Sequence, residues 1–204
     1  MKITPFRRIA RTAAVLALLG PLVATGAHSR DLGTAQEPAF IPYVMEHGYF
    51  SCDIPTGWDL SRDPEKDAEY KIFEIALNGP EGFTTIDVSY MLKDNEDFSG
   101  YRDFLDRNSR NVLGETDNAR EHYGPVTKTT LDGKPAFALK RDRMTYLHPE
   151  SKSDESVRLI EDLTVLPMKD GSFYVLHYTA EADAYEEFRP VFERVVRSFR
   201  ARAI

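Results

Sequence analysis

The stretch 126-VTKTTLDGKPAFALKRDRMTYL-147 decides the fold. At its centre stands Asp132-Gly133, a pair that tolerates the positive φ angles of a tight hairpin turn. Residues 126–131 and 135–139 flank the turn as strands, and the second runs on to about Leu147. Strands joined by so short a turn must run antiparallel. Polar residues 148–156 (HPESKSDES) then form a loop, and 157–166 return as the next strand. Asp170-Gly171 makes another turn before a strand over 173–179.

Toward the N-terminus the same alternation recurs. In 50–54 it sets Phe50, Cys52 and Ile54 on one face, which makes Cys52 a small buried hydrophobe. Residues 55–58 (PTGW) turn, with Trp58 as an anchor. Residues 59–69 (DLSRDPEKDAE) read as a charged loop. Strands follow over 70–77 and 84–91, with Ile86, Val88 and Tyr90 pointing inward. Two segments carry a helical period instead. Tyr101, Phe104, Leu105, Val112 and Leu113 predict a helix over 99–113, with Ser99 as its cap and Gly114 as its stop. Tyr185, Phe188, Phe192, Val195, Val196 and Phe199 predict a longer one over 183–199, kinked by Pro190 or starting there. The order is β-β-β-α-β-β-β-β-α. It implies an α+β fold: an antiparallel sheet of about six or seven strands with helices packed on its faces.

The first residues read differently. Lys2, Arg7, Arg8 and Arg11 precede an apolar run over 13–23 and then small residues, the pattern of a secretory signal peptide over 1–29. The apolar run is far short of the ~20 residues a spanning helix needs, so no stable membrane anchor is expected. Residues 30–46 read as a leader or linker, and 47–200 as one domain. Of 204 residues, 26 are Lys or Arg and 33 Asp or Glu. Without the four basic residues of the signal, 22 oppose 33, a formal charge of −11. Such a surface repels phosphate backbones, which excludes nucleic acid as an expected partner. The one cysteine permits no disulfide within the chain, so packing must hold the fold. The expected location is periplasmic or secreted.

Two motifs at the ends of the domain resemble a known family. Tyr49-Phe50-Ser51 with Ile54-Pro55-Thr56-Gly57-Trp58 is similar to the opening of PsbP-like domains. Phe192-Glu193-Arg194-Val195-Val196-Arg197-Ser198-Phe199 is similar to their closing helix. The resemblance covers nearly all of 47–200. It implies an α/β/α sandwich and a binding or accessory role. The group includes an extrinsic subunit of the oxygen-evolving complex, a nuclear-import factor that binds a small GTPase, and exported bacterial proteins of unknown role. It implies no shared catalytic set.

Catalytic motifs are sparse. There is no G-x-S-x-G nucleophile turn and no glycine-rich phosphate loop. The histidines lack metal-ligand spacing. The acidic run Asp59, Asp63, Glu65, Asp67, Glu69 is calcium-like in spacing, but Pro64 stands where the sharp-turn glycine would be. On the long hairpin, Lys140-Arg141-Asp142-Arg143 faces Glu161-Asp162. With the loop centred near Lys152, Arg143 pairs with Glu161 and Asp142 meets Asp162. The alternatives are a register one residue different, giving a surface charge ladder, or a cation held between Asp142 and Asp162. The leading expectation is an exported, non-enzymatic accessory domain that uses no cofactor. It recognises a protein partner or ligand through surface loops, with Asp63, Glu65, Asp67, Arg141, Arg143 and Glu161 as contact candidates. A small-ligand or metal-ion carrier using the hairpin carboxylates comes second, and a hydrolase third.

Overall fold

Hydrophobic alternation along the chain produces one large antiparallel sheet, and the rest of the fold is arranged around it. The computed structural model describes residues 38–148, 150 and 154–202. The signal segment 1–29 lies outside the described residues, as do 30–37 and most of the tip of the 148–156 loop.

In chain order the elements are β1 (Phe40–Val44), β2 (Phe50–Pro55), β3 (Asp59–Ser61), α1 (Pro64–Tyr70), β4 (Ile72–Asn78) and β5 (Thr85–Met91). Next come α2 (Tyr101–Asn108), β6 (Glu121–Tyr123), β7 (Thr127–Leu131), β8 (Lys134–Tyr146) and β9 (Ser156–Pro167). Last are β10 (Phe173–Glu181), α3 (Tyr185–Ser198) and β11 (Arg200–Ala201). Eight strands form the large sheet in the order β3-β4-β5-β10-β9-β8-β6, with β7 also on β8; β1-β2-β11 form a small one. Every pairing is antiparallel. The β7–β8 turn is as expected: Asp132 and Gly133 hold φ of 52° and 69°.

One face of the large sheet lies under α3 and the small sheet. Ile75, Leu77, Ile86, Val88, Tyr174, Leu176 and Tyr178 meet Phe50, Cys52, Phe192, Val195 and Phe199 there. Phe192 stacks on Tyr178 with ring centroids 5.4 Å apart. Burying each such side chain is worth roughly 1.5–3 kcal/mol, so this layer is the main store of stability. Pro190 sits inside α3 on its exposed side, where the missing N–H is least disruptive. Burial pushes the Cys52 thiol up to about 12, with Asp53 adding to the effect. The opposite face of the sheet carries the shorter α2, whose Phe104 and Leu105 cover Leu139, Leu163, Val165 and Val175. The layers are therefore helix, sheet, helix, as the end motifs imply.

Three expectations need correction. Residues 30–46 include a strand: β1 pairs along β2 from Phe40 opposite Pro55 to Val44 opposite Ser51. Residues 59–69 are not a loop but β3 and most of α1. Third, α2 stops at Asn108, five residues before Leu113, and begins after Gly100 rather than on a Ser99 cap. Asn108 donates its amide to the Phe104 carbonyl at 2.8 Å, and Asn111 folds back on its own chain. Such local bonds compete with helix propagation.

A candidate recognition loop and its charged base

The acidic candidates do not form an open surface. Asp63 caps α1, accepting from the Lys66 amide at 3.2 Å, and its side-chain and backbone bonds to Lys66 lower its pKa. Asp67 is buried. Its carboxylate takes the Arg62 guanidinium at 2.9 Å and the Glu74 amide at 3.3 Å. Burial nonetheless pushes its carboxyl up, against the pull of Arg62. Arg62 also reaches Glu46 at 2.8 Å, tying α1 to the end of β1. Glu65 is exposed to solvent, and the Asp63 side chain remains 44% exposed beside Lys66.

The hairpin register differs from the expected one. Arg141 pairs with Glu161, Lys140 with Asp162, and Asp142 with Ile160. The loop centre therefore lies one residue earlier than Lys152. Arg143 lies opposite Leu159, yet its side chain reaches diagonally to Glu161, as cross-strand neighbours two positions apart can. Glu161 is not part of a surface ladder: it is 0% exposed, sealed beneath Arg141 and Arg143, both of which hydrogen-bond to it. His177, from β10, sits 3.1 Å from Glu161 and 3.8 Å from Asp87. Desolvation would raise the Glu161 carboxyl. The hydrogen bond and charge of His177, with the charges of both arginines, overcome it and hold the carboxyl far below its ordinary value. This is how a buried charge is tolerated: it is paired and hydrogen-bonded on every side.

Asp142 and Asp162 lie on the other face of the sheet. Asp142 takes Arg158 through both oxygens. Asp162 accepts the Tyr185 hydroxyl at 2.5 Å, and Lys140 meets the same hydroxyl at 3.0 Å. Those contacts fix the start of α3 on the sheet. Among the described residues no group of three or more His, Cys, Asp or Glu could hold a metal ion.

The buried Glu161 has a second consequence. Arg141, oriented by it, donates to the Asn108 side chain at 2.7 Å and so holds the last residue of α2. On the far side, β6 pairs with β8 at Arg141 to Arg143. The segment between, 109–120, therefore leaves and re-enters the fold on one charged base.

That segment is a built loop. The Asn111 side-chain oxygen accepts from the Leu113 and Glu115 amides, each at 2.9 Å, and Gly114 takes φ of 82° to close the turn. Asn118 accepts from the Arg120 and Glu121 amides at 2.8 and 3.0 Å. The Glu115 carboxylate bridges the amide groups of both asparagines. At the tip, Val112 is 100% exposed and Leu113 79%. Single exposed apolar residues are ordinary. Two adjacent ones on an immobilised turn are a protruding apolar knob. The helical spacing of Val112 and Leu113 obscured this, although Asn111 and Gly114 were available as turn signals.

Where the loop returns to the sheet, Ala119, Arg120, Met144, Tyr146, Asp154 and Ser156 line a shallow notch of about 430 Å³. The Arg120 guanidinium lies over the Tyr146 ring, 5.1 Å from its centre. A second concavity, of about 420 Å³, lies between the Asp132-Gly133 turn and the end of α3.

The chain is similar to several solved structures at low sequence identity. One is cyanobacterial PsbP from Synechocystis, with a TM-score of 0.47 and 14% identity over 90% of this chain and 100% of that one. Another is a Pseudomonas aeruginosa protein of unknown function, at 0.43 and 12%, covering 81% and 99%. A third is the Saccharomyces cerevisiae Ran-binding protein Mog1p, at 0.45 and 12%, covering 80% and 96%. No family model and no curated protein matches the chain.

Proposed function

We propose that the chain is an exported, non-enzymatic binding domain that recognises a protein partner through a surface loop, and that the loop is 109–120. The observation that carries this is the pairing of rigidity with exposure. The backbone around Val112 and Leu113 is fixed by two asparagine side chains, while the apolar side chains stand in water. A loop ordered in advance loses little entropy on docking, and an apolar knob gains from entering a partner's pocket. Lipid is a poorer match, since the acidic mature chain is repelled by anionic surfaces and insertion needs no fixed backbone. No helix of the described residues is long and apolar enough to cross a membrane. The carrier reading finds less support, because Asp142 and Asp162 already hold Arg158 and Tyr185.

Two experiments test this. N-terminal sequencing of the protein from the periplasm of a bacterial host should begin between His28 and Arg30; a chain still starting at Met1 would defeat the export reading. A photo-crosslinking residue at position 113 should yield a discrete protein adduct in the native host, and the same residue at exposed Lys128 should not. Equal adducts at both positions would remove the loop from consideration.

A further inference from the structure

Three arginines among the described residues, Arg102, Arg120 and Arg202, have no carboxylate within 4.0 Å, and Arg120 lines a notch. Ten of the arginines among the described residues approach a carboxylate within 4.0 Å. Arg120 has no such ion pair among the described residues, although the chain is strongly acidic. Its backbone is fixed: its amide donates to Asn118 at 2.8 Å, and its carbonyl accepts from Met144 at 2.8 Å. Its guanidinium carbon sits over the face of the Tyr146 ring, a cation–π contact. The result is a planar fork of donors at the edge of the notch, beside an adaptable thioether and an aromatic ring.

We infer that this notch takes a peptide carboxylate next to an apolar side chain, the carboxylate on Arg120 and the side chain against Met144 and Tyr146. The inference rests on the reading of 109–120 as the recognition loop and gives that partner its chemistry. Asp154 also lines the notch. It repels a free phosphate but accepts a peptide N–H, so the combination of one guanidinium and one carboxylate selects a peptide over a bare anion. The carboxylate can come from an acidic side chain or from a chain terminus, and the two are separable by experiment.

The test is a titration of the ¹⁵N-labelled full chain followed by NMR. Three short peptides serve as probes: a blocked peptide with glutamate between two leucines, the same peptide with glutamine, and a peptide of leucine and alanine ending in a free carboxylate. Saturable shifts at the amides of Arg120, Met144 and Tyr146 are expected with the first, the third or both, and the responding probe identifies the source. R120Q should weaken that binding about ten- to a hundredfold, the range of a charge-assisted hydrogen bond. R120K should restore only part of it, because the planar fork is lost. The double variant V112S/L113S should leave the titration unchanged, which separates failure of the notch from failure of the knob. Equal binding of the glutamate and glutamine peptides, undiminished binding by R120Q, or no shift with any probe would overturn the inference.

Discussion

Residues 59–70 and 109–120 are two excursions from the core, and each is the opposite of what its composition advertises. The first is crowded with acids and reads as a solvated loop. It is a strand and a short helix in which Asp63 caps and Asp67 is a buried strut. The second carries an apolar stripe and reads as the end of a helix. It is a loop whose apolar residues face water. Charge therefore does not mark the exposed site here, and hydrophobicity does not mark the core. What separates the two segments is where each backbone amide finds its partner.

The comparison can be broken at four points, in falling order of effect. Replacing Glu161 by alanine should destabilise the fold by about 3 kcal/mol, because two guanidiniums lose their buried counter-charge. The low end of the usual range applies, since Arg143 is 38% exposed. The conservative Glu161→Gln carries a pH signature. The folded carboxyl is held below its ordinary 4.5, so its stabilisation is present above that value and is lost as the pH falls below it. Acid denaturation curves of the wild type should therefore converge on those of the variant below about pH 4; parallel curves down to pH 2 would contradict the pairing.

Second, Asp67→Ala should cost about 1–2 kcal/mol in urea denaturation, because it leaves the Glu74 amide unpaired and Arg62 with Glu46 alone. Glu65→Ala, on the same helix, should shift the melting temperature by less than about 2 °C. Equal effects would return the segment to the class of charged loops. Asn111→Ala, third, should weaken the 109–120 turn locally by about 1 kcal/mol. Faster hydrogen exchange at the Leu113 and Glu115 amides, with the sheet unaltered, is the expected readout. Finally, V112S/L113S should leave the melting temperature within about 2 °C of wild type, and V112S beside the crosslinking residue at position 113 should weaken its adduct. A large loss of stability would show that the knob packs against its own fold.

Much of the architecture was legible because it follows from short-range rules. Asp132-Gly133 fixed a hairpin, period-two alternation fixed the strands, and the stripe ending at Phe199 fixed the last helix. What escaped has physical causes. The start of α1 was written in Asp63-Pro64-Glu65, an N-cap, a proline at the first position and an acidic first turn, but charge density masked it. Strand β1 is five residues long and holds a proline at a sheet edge, where no pattern is strong. The register of β8 on β9 depends on loop geometry over 148–156, which alternation cannot supply. Glu161 and His177 sit at inward positions of apolar strands, beside Leu163 and Val175. The charged run Lys140 to Arg143 facing Glu161-Asp162 made Glu161 read as a surface contact instead. What it could not show is that Arg141 and Arg143 would cover Glu161 and tie in Asn108.

Strand β11 has a consequence for the order of assembly. Arg200 and Ala201 pair with Ser51 and Phe50, so the central strand of the small sheet waits for residues far along the chain. The Ala201 amide also donates to Asp132, joining the terminus to the hairpin turn. Contacts of such sequence separation slow the search for the native state. A nascent chain emerging residue by residue holds β2 half-paired until Arg200 and Ala201 have emerged, and a chain cut before Phe199 never closes that sheet.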